Sequence, residues 1–86
     1  MGVRSAAEYL VLTSARAWLY AATGRLASKV EAGEWATERH PAPGVIESAL
    51  TIQRGGEAEV GHLAAQEFAR SVTAILGPPP PVGPAA

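Results

Sequence analysis

The stretch VLTSARAWLYAATGRLASKVEAGEWATER, residues 11–39, decides how this chain folds. Val11, Ala15, Trp18 and Ala22, widened by Leu12 and Leu19, recur at the 3.6-residue period of one helix face. Gly24 suits the left-handed residue that ends a helix, and Ser28 with Glu31 three places on forms a capping box that opens the next. Few residues separate these signals, so the spacing predicts a tight turn between antiparallel neighbours. Lys29 stands at the first position of the second helix, where the macrodipole already places positive potential. A cation there breaks a local rule, and such breaks concentrate at functional sites.

Outward from this stretch the helical pattern continues. Ser5 and Glu8 make an earlier capping box, which starts the first helix there and carries it to Thr23. The second helix, 29–39, turns Val30, Ala32, Trp35 and Ala36 inward and stops at His40, because a residue before proline is pushed out of the α region. A third, 45–53, carries Val45, Ile46, Ala49, Leu50 and Ile52 and is broken by Gly55-Gly56. A fourth, 58–76, presents Val60, Leu63, Ala64, Phe68, Val72 and Ile75, a face that would lie along the first helix. After Gly77 a run of four prolines and a short Val-Gly-Pro-Ala-Ala end lacks the apolar surface to fold. The chain is thus expected to be all-α: a small antiparallel four-helix bundle over 1–77, then a disordered Pro-rich tail over 78–86.

Composition narrows the function. A chain of 86 residues is one small domain with a thin margin of stability. The formal net charge of -1 offers no clustered positive charge for nucleic acid. The absence of cysteine removes disulfides and thiolate metal sites, and no apolar run approaches a membrane span, so the expected setting is the cytoplasm. All eight acidic residues are glutamates. Without aspartate there is no Ser-His-Asp set, and the short carboxylates that usually hold catalytic magnesium are missing. His62 has no ligand partners at convincing spacing, so no metal site is expected.

The candidate chemistry reduces to two cations. Lys29 adds an ammonium to a helix N-terminus that already favours anions. Arg16 lies about two turns from the Gly24 corner, roughly 10 Å along the axis, so both side chains can converge on one polyphosphate. The same spacing also fits two solvated surface cations, the usual place for charges. Trp18 and Trp35 read as core anchors, His40 as a helix-end residue, and Glu38 and Arg39 as members of helix-end or interhelical pairs.

Val11-Leu12-Thr13, Arg16, Trp18, Thr23-Gly24, Lys29, Trp35-Ala36, Glu38-Arg39 and Pro41 fall at the spacing of a known pattern. Over about 9–76 the chain resembles the C-terminal helical domain of the aminoglycoside adenylyltransferases, antibiotic-resistance enzymes that modify streptomycin and spectinomycin. In such enzymes an N-terminal nucleotidyltransferase domain carries a Gly-Ser turn, magnesium-binding aspartates and a glutamate base, and the helical domain closes the cleft. None of those first-domain features occurs in these residues.

The resemblance implies that Arg16 and Lys29 contact the phosphates of ATP, that ATP and magnesium are held only together with a catalytic domain, and that no catalytic residue lies here. The family's nucleotide-facing tyrosine near the end of the third helix corresponds to Gln53, after a shorter loop through Ala42-Pro43-Gly44. Its drug-contacting acidic and polar groups on the first turn correspond to Ala6 and Tyr9, which makes Gln53 and Tyr9 the candidate nucleotide or drug contacts. Aminoglycosides are polycations, and each charge-assisted bond lost with a carboxylate is worth about 1.5–3 kcal/mol.

Two functions follow. One is an accessory domain of an aminoglycoside nucleotidyltransferase, inactive alone, and either truncated or partnered by a separate nucleotidyltransferase domain. The other is a non-enzymatic helical module that buries spare apolar surface in a homodimer or against another protein.

Overall fold

A computed structural model describes residues 6–77, which form four helices and, within those residues, no strand. They are α1 (Ala6–Thr23), α2 (Lys29–Thr37), α3 (Gly44–Gln53) and α4 (His62–Leu76). Ser5, half of the expected first capping box, and the Pro-rich tail 78–86 lie outside the described residues. The all-α four-helix architecture is the expected one.

α1 is the hub and touches the other three helices. Val11, Leu12, Ala15 and Leu19 are fully buried, Ala7 nearly so, and Trp18 is 8% exposed. Ala32 and Ala36 of α2, Ile46, Ala49 and Leu50 of α3, and Ala65, Phe68 and Val72 of α4 complete the core. So many alanines let helix axes approach closely, while each removes little apolar surface from water. Gly33 is the tightest point: a Cβ there would lie 2.6 Å from Leu50 Cδ2 and 3.2 Å from Leu12 Cδ2. α1, α2 and α3 therefore meet at one spot that only glycine fits without movement.

The helix ends follow local chemistry. Ser28 Oγ accepts the Glu31 N–H at 3.1 Å and the Glu31 carboxylate accepts the Ser28 N–H at 3.3 Å, which is the predicted capping box. Gly55 takes φ 88° after α3, with Gly56 N–H donating to Thr51 O at 2.8 Å and Gly55 N–H to Ile52 O at 3.0 Å, a Schellman ending.

The path from α1 to α2 differs from expectation. Gly24, at φ 75°, ends α1, but residues 24–28 make no tight corner; they run back along α1, where Arg16 Nε–H donates to Ala27 O at 3.1 Å. Six extended steps from Thr23 to Lys29 reach about 20 Å, enough to return most of the length of α1. α2 then starts beside Tyr9, and the pairs Tyr9–Lys29, Leu12–Gly33 and Trp18–Trp35 advance in the same sense along both helices. α1 and α2 are therefore roughly parallel. The antiparallel relation belongs to α2 and α3, shown by the Glu34–Arg54 ion pair and by Thr37 facing Glu47 across one groove.

Two boundaries also move. α2 ends at Thr37, and Glu38-Arg39 form a turn in which both the Arg39 and His40 N–H groups donate to Ala36 O, at 3.0 and 2.9 Å. α4 begins at His62 because Gly61 holds an extended ψ of 139°, so 58–61 is a non-helical lead whose Val60 still packs on the core. The buried face of α4 is Ala65, Phe68 and Val72, while Leu63 and Ile75 are exposed at 74% and 53%. Ala22, expected inside, is exposed as well.

Candidate functional site

The return of residues 24–28 brings the predicted cations to one side of the bundle. Lys29 Nζ lies 4.8 Å from the centroid of the Tyr9 ring, so the ammonium that opens α2 rests on the aromatic face that opens α1. That contact accounts for Lys29 locally: the ring quadrupole attracts the cation, and Glu31 at the third position answers the helix dipole. Tyr9 is 61% exposed, which leaves most of its ring to solvent or ligand.

Arg16 follows Tyr9 by seven residues, about 10 Å along α1. Its Nε–H holds the Ala27 carbonyl two residues before Lys29, and the exposed guanidinium presents its other nitrogens outward. Arg16 thus braces the very connection that delivers Lys29. Gln53, the last residue of α3, stands one turn beyond Leu50, which meets Gly33. Because α2 and α3 run oppositely, Gln53 comes to the same end of the bundle as the first turns of α2. Ala6, in the first turn of α1, is exposed near Tyr9 in sequence.

Elsewhere, among the described residues, Glu34 pairs with Arg54 and Glu38 with Arg39. A groove of about 340 Å³ between α2 and α3 is lined by Glu34, Thr37, Glu38, Glu47, Thr51 and Arg54, and Arg54 bonds Glu34 across it. Among the described residues no three metal-ligating side chains are placed to hold an ion. No described helix is long and apolar enough to cross a membrane. His62 is exposed at the start of α4. Glu8, half of the expected first capping box, is 2% exposed.

At the other end of α1 the aromatic residues gather. Trp18 and Trp35 meet edge to face with centroids 5.0 Å apart, as core anchors do. His40 joins them, 6.1 Å from Trp18 and 4.9 Å from Phe68. Sequence reasoning missed this role for His40: its partner Ser71 is 31 residues away, and no local spacing signals the pair.

The chain belongs to the family of the aminoglycoside adenylyltransferase C-terminal domain, whose model matches residues 2–76. Neither the curated proteins nor the solved structures gave a match. The family match spans all four helices and both ends of α1, including the face that carries Tyr9, Arg16 and Lys29.

Proposed function

We propose that this chain is the accessory helical half of an aminoglycoside nucleotidyltransferase, with Arg16 and Lys29 as the groups that meet the triphosphate of ATP. The carrying observation is their common face: Lys29 on the Tyr9 ring, and Arg16 on the carbonyl of Ala27 beside it. Two long cationic side chains on one face can converge on a polyphosphate, and neither is neutralised by a carboxylate in an ion pair among the described residues. Tyr9 and Gln53 border that face and are the proposed contacts to nucleotide base or drug. Magnesium and the attacking-group chemistry belong to a nucleotidyltransferase domain carrying the aspartates that this sequence lacks, and the helical domain contributes electrostatic positioning of phosphate charge.

The test is calorimetric titration of magnesium-ATP into this chain mixed with a nucleotidyltransferase domain of the family. Lys29→Ala and Arg16→Ala should each weaken binding by about 10-fold or more, the value of one charge-assisted hydrogen bond. Equal affinity in all three would remove the phosphate role.

A second reading is favoured by the exposed Tyr20, Leu26, Leu63, Ile75 and Leu76, an amount of apolar surface that suits a helical module with a protein partner or a second copy of itself. Sedimentation across a concentration series separates the readings: a monomer at every concentration counts against self-association.

A further inference from the structure

We infer that His40 is a proton-sensitive clasp that fastens the α2–α3 connection to α4. This inference does not depend on the nucleotide role proposed above. Two hydrogen bonds define it. The Ala42 N–H donates to His40 Nδ1 at 3.1 Å, and a backbone N–H can only donate, so Nδ1 carries no proton. The ring proton therefore sits on Nε2, which donates to Ser71 Oγ at 2.8 Å. Ser71 is free to accept because its own hydroxyl donates to Phe68 O at 2.6 Å. The donors run in one unbroken direction, from Ala42 through His40 and Ser71 to the α4 backbone, and only the neutral ring with its proton on Nε2 permits it.

Adding a proton to Nδ1 reverses one link. Nδ1–H then faces the Ala42 N–H, donor against donor, and the connection loses its hold at that residue. The ring lies between Trp18 and Phe68 and cannot turn away without breaking both edge contacts. Clasp residues and bulk solvent communicate through a pocket of about 290 Å³ lined by His40, Ala42, Gly44, Val45, Glu67 and Phe68, among others.

The charges around His40 are few. From α4, Glu67 lines the pocket and Arg70 precedes Ser71 on the exposed side. Ahead of the ring, Glu38 and Arg39 bond each other, and Arg39 lies over Trp35. α1 presents Trp18, and α3 presents Gly44 and Val45, with no charged side chain in the pocket from either. Glu67 favours an imidazolium and so opposes the clasp, but it is exposed, and its field is screened while the two bonds are direct.

The sign follows from proton linkage. The clasp needs a bare Nδ1 to accept the Ala42 N–H, so it holds while the ring is neutral and is lost when the ring takes a second proton, which acid favours. Urea unfolding of the full chain and of His40→Gln, at about pH 7.5 and about pH 5, reads this directly. Near pH 7.5 the substitution should lower the folding constant by about 10-fold, the worth of the lost hydrogen bonds. At the lower pH that cost should shrink by roughly 3-fold or more, since acid has already removed what the substitution removes. A smaller shrinkage, an unchanged cost or a larger one overturns the inference. Should His40→Gln not fold, the imidazole nitrogen-15 shifts of the unaltered chain carry the same test. A bare Nδ1 with a protonated Nε2 near neutrality is expected, and a proton on Nδ1 overturns it.

Discussion

Two cations in this fold lie over aromatic rings, and their surroundings are opposite. Arg39 rests 4.4 Å from the centroid of Trp35 and spends its guanidinium inside the chain, donating to Trp35 O at 2.9 Å and to Glu38 at 3.4 Å. The ring beneath it meets Trp18, and His40 and Phe68 close the cluster. Lys29 rests 4.8 Å from the centroid of Tyr9, but its ring is mostly exposed and the ammonium has no carboxylate partner among the described ion pairs. At the Trp18 end the cation is engaged within the chain through Arg39 Nη1. At the Tyr9 end the Lys29 ammonium has, among the described residues, only the ring.

Substitutions can break or sharpen this contrast. Trp18→Ala should have the largest effect, about 3–5 kcal/mol of stability, because it removes a buried aromatic that joins α1, α2 and the His40 connection. In so small a chain that is most of the folding free energy, and circular dichroism during urea titration should find the variant largely unfolded. If Trp18→Ala lost under about 1 kcal/mol, the Trp18 end would not be the structural one.

Gly33→Ala comes next. Alanine favours a helix interior by about 1 kcal/mol, yet its methyl would press on Leu50 and Leu12, so overpacking of about 1–3 kcal/mol should win and lower the thermal midpoint. A raised midpoint would show that the three-helix contact is loose. Ser28→Ala should cost about 1 kcal/mol through the lost cap, and because the cap fixes where α2 begins, it should also disturb the Lys29 amide resonance. The smallest stability effect belongs to Lys29→Met, about 0.5–1 kcal/mol at most for a half-buried cation on a mostly exposed ring. A larger loss would make Lys29 a structural group like Arg39 and erase the contrast.

Much of this was readable from residue order, because helix ends are written locally. Ser28 and Glu31 give the start of α2 to the residue, Gly55-Gly56 the end of α3, and the apolar period of α1 its buried face. Direction was not readable. Whether residues 24–28 turn tightly or run extended depends on Arg16 reaching Ala27 and Lys29 reaching Tyr9, contacts 11 and 20 positions apart that no local signal encodes. The same limit explains His40, whose apparent role as a helix stop next to Pro41 hides a bond to Ser71. Leu63 and Ile75 misled for a different reason: Leu63, five residues before Phe68, lies about 140° round the helix from it where Ala65 shares its side, and Ile75 falls in the last turn of α4. Of the candidate site, Arg16 and Lys29 came from spacing and resemblance, while the part played by the Tyr9 ring beneath Lys29 needed the path of the chain.

The central claim is that the Tyr9–Arg16–Lys29 face, and not the aromatic end, meets the nucleotide-bearing partner. Nitrogen-15 shift mapping of the full chain, on adding a family nucleotidyltransferase domain with magnesium-ATP, tests it most directly. The account predicts perturbed resonances at Tyr9, Arg16, Lys29 and Gln53 with those of His40, Ser71 and Trp35 undisturbed. Perturbation centred on the His40–Trp35 end, or none at the Lys29 face, would contradict it.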